Sequence, residues 1–295
     1  MPPHKAGFVN IIGKPNVGKS TLMNALVGEK LSIITPKAQT TRHRIKGIMN
    51  SEDFQIVFTD TPGILKSSYL LHNKMMDAVN TALVDADILL YVVEHGEKEI
   101  EPETEEKIKN AEFPVFLIIN KIDTIKDQQK LEEVVDMWRE KLNPKEIIPV
   151  SALENFNTDN LLKKIIEYLP ESPAYFDKDV LTDRNERFFV AEIVREKIFL
   201  NYQKEIPYSC EVVVESFKEE PEIDKIRAII YVERDSQKGI LIGHKGESLK
   251  RIGTAARLDM EKFLDKKVFL ELFVKVKEDW RNKENLLRNF GYDNI

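Results

Sequence analysis

The sequence predicts a mostly parallel α/β domain with helices on both faces, followed by a smaller α+β domain. Three observations point there. Up to about residue 170, apolar runs such as 8–12, 54–58 and 115–119 alternate with segments of helical period, the signature of a parallel sheet wrapped by helices. Each run ends in a polar motif, as expected where strand C-termini line a ligand crevice. After Pro170 and Pro173, which stop a helix ending near Leu169, the pattern changes to one helix, two strands, a helical pair and a strand. These changes set expected boundaries of 1–172 for the first domain, 173–185 for a linker and 186–295 for the second domain.

The run 8–12 leads into Gly13, Lys14, Pro15, Asn16, Val17, Gly18, Lys19 and Ser20, which fit GxxxxGK[ST], and Thr21 follows at the start of a helical segment. Strand, glycine-rich loop and helix in that order form a phosphate cradle. The glycines let successive backbone N–H groups converge on phosphate oxygens at the positive end of the helix. Lys19 can then reach the β- and γ-phosphates, and Ser20 can ligate Mg²⁺.

A polar segment follows, Gln39, Thr40, Thr41, Arg42 and His43, placed to act as a first switch. Thr41 is preferred to Thr40 as the residue completing the metal shell, on its position beside Arg42; His43 is expected to be a polar loop residue without a role. The run 54–58 then delivers Asp60, Thr61, Pro62 and Gly63. Asp60 can hold Mg²⁺ through water, and the Gly63 N–H can sense a γ-phosphate. Ile64 comes next, where many switch GTPases carry a glutamine that orients the attacking water. A hydrocarbon cannot do that, so basal turnover should be slow, and no catalytic residue is assigned.

The base is read further on. Asn120, Lys121, Ile122 and Asp123 follow the run 115–119. A carboxylate there can accept from guanine N1–H and N2–H₂ together, and adenine offers no such pair. Lys121 can lay its stem along the base, Asn120 can tie this loop to the phosphate loop, and Ser151 and Ala152 can bring a backbone N–H to guanine O6. GTP or GDP with Mg²⁺ is therefore the expected ligand set. The order of the four motifs carries more weight than any one of them. Two rivals remain: a phosphate-loop ATPase or kinase with a small substrate, and a static RNA-binding factor whose nucleotide module is structural.

Composition sets the outer bounds. At 295 residues and 42 % hydrophobic the chain can bury two ordinary cores. Its one cysteine, Cys210, cannot form an internal disulfide, in keeping with a reducing cytoplasm. No apolar run reaches the roughly 18 residues of a membrane span. A net charge of −6 confines any nucleic-acid surface to a local patch. The acidic stretch 97–106 is expected to begin a solvated helix.

In the second domain, 186–200 has helical period, Tyr208, Cys210, Val212 and Val214 alternate as a strand, and 226–233 pairs with it. Gly243, His244, Lys245 and Gly246 then precede a helix, and 268–274 supplies a third strand. Two glycines in that setting allow a nucleic-acid backbone to approach closely. Basic residues outnumber acidic ones over 238–267, and Lys250 and Arg251 stand beside the loop. His244 is expected at the surface, where it can donate to phosphate.

This element order resembles the type II KH domain, and the resemblance implies RNA binding by Gly243, His244, Lys245, Gly246, Lys250 and Arg251. The phosphate loop with its internal Pro15-Asn16, the segment 39–43, Asp60 to Gly63, Asn120 to Asp123, and the C-terminal text at 182–184, 207–209 and 272–277 together resemble the Era branch of bacterial GTPases over almost the whole chain. That resemblance implies binding to the 3′ end of 16S ribosomal RNA during 30S subunit assembly. It also implies a monomer in the cytoplasm that sometimes sits on the inner face of the cell membrane. For Asn16 two readings stay open: a ligand to a potassium ion that replaces an arginine finger, or a residue that only shapes the loop.

Overall fold

Segments of four to eight residues become the strands of one sheet, and the C-terminal ends of several carry the motifs. The computed structural model describes residues 3–292. The strands are β1 (Lys5–Ile12), β2 (Ile45–Asn50), β3 (Phe54–Asp60), β4 (Ile88–Glu94), β5 (Val115–Asn120) and β6 (Glu146–Pro149), in the order β2-β3-β1-β4-β5-β6. Only the β2–β3 pair is antiparallel. Between them run α1 (Lys19–Val27), α2 (Leu70–Ala82), α3 (Pro102–Lys109) and α4 (Gln128–Leu142), with α5 (Thr158–Tyr168) after the last strand.

β5 is buried along its whole length and β4 along all but Glu94, as a central parallel strand must be when helices cover both faces. Leu89, Tyr91, Val93, Leu117 and Ile119 point to one face, against Val79 and Ala82 of α2, Ile108 of α3 and Trp138 and Leu142 of α4. Outside that cluster, α1 packs on β1, β2, β3 and α5.

The chain divides into two compact units. The first ends at Asp183, and the second comprises the chain from Arg184 together with Ile33–Thr40 and Ser67–Lys74. Much of the stretch expected as linker is hydrogen-bonded into the first unit. Gln55, fully buried in β3, accepts from Tyr175 N and Phe176 N at 2.7 and 3.0 Å and donates to Phe176 O at 2.8 Å. Ile48 N donates to Leu181 O at 2.8 Å, and Gly47 bridges Thr182 in antiparallel fashion. Residues 180–182 thus run as a strap along β2, and 175–176 are tied to Gln55 of β3.

In the second unit, α6 (Glu186–Asn201) is followed by α7 (Ile206–Ser209), β7 (Glu211–Lys218), β8 (Ile223–Val232), α8 (Asp235–Ile242), α9 (Glu247–Leu264), β9 (Lys267–Val276) and α10 (Glu284–Asn289). β7 pairs antiparallel and β9 parallel with the central β8. Val190, Ile193 and Ile198 of α6 and Ile252, Ala256 and Met260 of α9 pack on Ile226, Ala228, Ile230 and Val268 of the sheet. One expectation is corrected: Tyr208 and Ser209 are helical, and the strand begins at Glu211. Pro207, with its fixed φ and no N–H, suits a first helical turn. Tyr208 N and Ser209 N accordingly close that turn on Glu205 O.

Candidate nucleotide site and RNA loop

The phosphate loop leaves β1 and enters α1, whose N-cap Gly18 has φ 98°. Two requirements fix glycine there. The left-handed backbone disfavours a side chain, and a Cβ would lie 2.2 Å from Asn120 Nδ2. Asn120 uses that nitrogen to donate to Val17 O at 2.9 Å, and its Oδ1 accepts from Ala152 N at 3.0 Å. One side chain therefore ties the base-reading loop to both the phosphate loop and the segment after β6. Ser151 Oγ donates to Asp123 Oδ1 at 2.6 Å, which orients the carboxylate. Beside them lies a largely apolar cleft of about 500 Å³, lined by Ile122, Asp123, Ile125, Leu131, Ser151 and Phe156 among others.

Three oxygens expected at a metal meet. Ser20 Oγ donates to Asp60 Oδ2 at 2.6 Å and lies 2.8 Å from Thr41 Oγ1, which is 3.3 Å from the same carboxylate oxygen. Thr40 turns elsewhere: its Oγ1 donates to Lys37 O at 2.7 Å and lies 2.6 Å from Thr35 Oγ1. Burial pushes the Asp60 carboxyl up, while the hydrogen bond from Ser20 and the charge of Lys19 pull it back. Lys19 Nζ donates to Gly13 O and Lys14 O at 3.1 and 2.9 Å. Its burial pushes the ammonium down to about 8, against the pull of Asp60 and Glu97. Both groups carry a desolvation cost that an ion and a polyphosphate would relieve.

Ile64 is buried among Tyr91, Val93 and Ile100 in the core, so the residue after Gly63 is a packing residue. Asn16 is exposed with φ 66°. His43 lies in the loop ahead of β2 and is buried there with Arg42, Arg42 completely. One expectation changes. Glu97 starts no solvated helix: it is buried in a turn closed on Glu94 O, and its Oε1 lies 2.9 Å from Lys14 Nζ. The helix waits for Pro102. Lys121 pairs with Glu94 at 2.7 Å. Two lysines of two motifs are thus held by one acidic turn, an arrangement that local sequence spacing could not reveal.

In the second unit, loop 243–246 joins α8 to α9, with His244 and Lys245 exposed. Gly246 and Lys250 line a groove of about 360 Å³ whose floor is Leu249, Gly253, Leu270 and Leu272, with Thr254 and Arg257 at its side. Thr254 and Arg257 were missed as site residues, although their helical spacing from Lys250 places them on one face. Arg251 is exposed and does not line this groove.

Residues 8–121 match the family model described as 50S ribosome-binding GTPase, and residues 205–281 match the KH domain model. The curated GTPase Era of Syntrophus aciditrophicus (strain SB) is 51 % identical over 294 residues, covering 98 % of this chain and 95 % of that relative. The chain belongs to the Era GTPase family. A second Era, from Alkaliphilus metalliredigens (strain QYMF), is 48 % identical over 98 % of this chain and 99 % of its own. Among solved structures, Era in complex with MgGDPNP and nucleotides 1506–1542 of 16S ribosomal RNA matches with a TM-score of 0.93 at 41 % identity, covering 98 % of this chain and 99 % of that one. An Aquifex aeolicus Era variant bound to GDP.AlF4- matches with a TM-score of 0.92, also at 41 % identity and over the same shares. As an Era GTPase the chain hydrolyses GTP, and its fold is a P-loop GTPase domain followed by a KH domain.

Proposed function

We propose that Ser20, Thr41 and Asp60 hold Mg²⁺ on a nucleotide whose phosphates lie in loop 13–21 and whose guanine is read by Asp123. The observation that carries this reading is the meeting of three oxygens from α1, the first switch and β3 within 3.3 Å of one another. Hard oxygen donors of this kind suit Mg²⁺, which supplies charge neutralisation at the phosphates. Thr61, Pro62 and Gly63 follow Asp60 as the second switch, and Lys121 and Ile122 flank the base. GTP orders the two switches and hydrolysis releases them. Thr41→Ala should raise the Mg²⁺ concentration for half-maximal GTP hydrolysis about tenfold, the worth of one lost ligand interaction; an unchanged requirement would remove Thr41 from the metal shell.

With Ile64 buried, a cation at Asn16, which is exposed with a left-handed backbone, is the means by which charge on the phosphates is stabilised. Equal turnover in potassium and sodium salts would refute this. The KH loop 243–246, with Lys250, Arg257 and the apolar groove, takes the 3′ end of 16S ribosomal RNA, a reading supported by the Era relative of 41 % identity solved in complex with nucleotides 1506–1542, and the protein acts in 30S assembly. Fluorescence anisotropy of that RNA fragment against the GDPNP and GDP forms tests the switch: equal affinities would leave only a static RNA binder. A cytoplasmic monomer with peripheral contact to the cell membrane follows from the family resemblance. Among the described residues no helix is long and apolar enough to cross a membrane.

A further inference from the structure

The segment Ile33–Thr40, which leads into Thr41, belongs to the second compact unit. There the Lys37 ammonium donates to Phe199 O and, at 2.6 Å, to Tyr202 O. These carbonyls stand at the C-terminal end of α6, where a cation is favoured by the negative end of the helix. Arg195, buried and paired with Glu192, donates to Thr40 O, and Ile34 N donates to Glu196 at 3.4 Å. The segment is therefore fastened to α6 at several points.

From the end of α6 the contacts continue to the RNA loop. The buried Tyr202 hydroxyl donates to Leu241 O at 2.9 Å. Leu241 lies just before Gly243, and Ser248 just after Gly246. The hydroxyl thus holds the end of α8 from which the loop leaves. Gly243 sits at φ 71°, ψ −179°, where only glycine is at ease, and a Cβ on it would lie 2.3 Å from Ser248 Oγ. The loop has little slack, so a small displacement of Tyr202 must change it.

We propose that Lys37 and Tyr202 are positioning residues forming a relay, through which the segment leading into the first switch sets the conformation of loop 243–246. The proposal rests on the assignment of 39–43 as a nucleotide-ordered switch. Ordering or release of that segment moves the cation at the end of α6, and Tyr202 carries the change to the start of the loop through Leu241.

Hydrogen exchange of residues 239–248 in the full-length protein, without RNA, tests it. Exchange with saturating Mg²⁺–GDPNP and Mg²⁺–GDP should differ by about threefold or more. The difference should vanish in Tyr202→Phe and in Lys37→Met and survive in Lys37→Arg, whose guanidinium can still cap both carbonyls. Equal exchange in the two nucleotide states of the unaltered protein, or an undiminished difference in both Tyr202→Phe and Lys37→Met, would overturn the relay. RNA anisotropy run in parallel separates the two readings: if the exchange difference is present and the 16S fragment does not bind, the relay stands and the assignment of the RNA loop falls.

Discussion

Asp123 is exposed, yet its carboxylate is held by Ser151 Oγ at 2.6 Å, so its acceptor face is set before the base arrives. Exchanging it for a donor at constant shape isolates that role. Asp123→Asn should lower GTP affinity by roughly 10²- to 10³-fold and restore binding to xanthosine triphosphate, since a mismatched polar site discriminates strongly; competition binding reads both. Lys19 gives a pH prediction. Its folded pKa, about 8, is below the unfolded value near 10.5, so between these values the unfolded chain binds more protons and stability rises with pH. The nucleotide-free protein should therefore gain thermal stability as pH climbs from about 8 towards 10.5, and Lys19→Met should lose that gain. A parallel pH trend in both proteins would locate the titration elsewhere.

The parallel sheet made the site legible. Each β-run ended where its motif began, and the structure keeps β1, β3, β5 and β6 leading into the phosphate loop, Asp60, Asn120 and Ser151. What period and spacing could not supply were contacts between distant segments of chain. The pairs of Lys14 with Glu97 and of Lys121 with Glu94 join residues far apart in sequence, and an acidic run looks alike whether it faces water or a lysine. The strand at Tyr208 failed for a local reason, since the two-residue alternation of Val214, Val212 and Cys210 runs back to Tyr208, inside the turn of helix that holds Pro207. Asn120 shows what one connection between elements is worth. Asn120→Ala removes two buried bonds and should speed GDP release about 10- to 100-fold; an unchanged release rate of labelled GDP would mean the loops hold their places without it.

Over the whole chain the net charge is −6, which repels RNA at long range, so affinity must come from a few lysines and arginines near the groove. RNA binding should weaken linearly in log–log salt plots, and Lys245→Ala should reduce the slope by about one unit. An identical slope would place the backbone clamp elsewhere. The strap formed by Val180, Leu181 and Thr182 along β2 bears on how a shortened chain would behave. The open side of an outer strand is a template for a second molecule. A fragment ending at residue 172 would bare the N–H and C=O groups of β2 and should self-associate during light scattering, whereas one carried through Asp183 would bring its own cover and stay dispersed. The strap thus covers an open strand edge, within what composition alone marks as a tether.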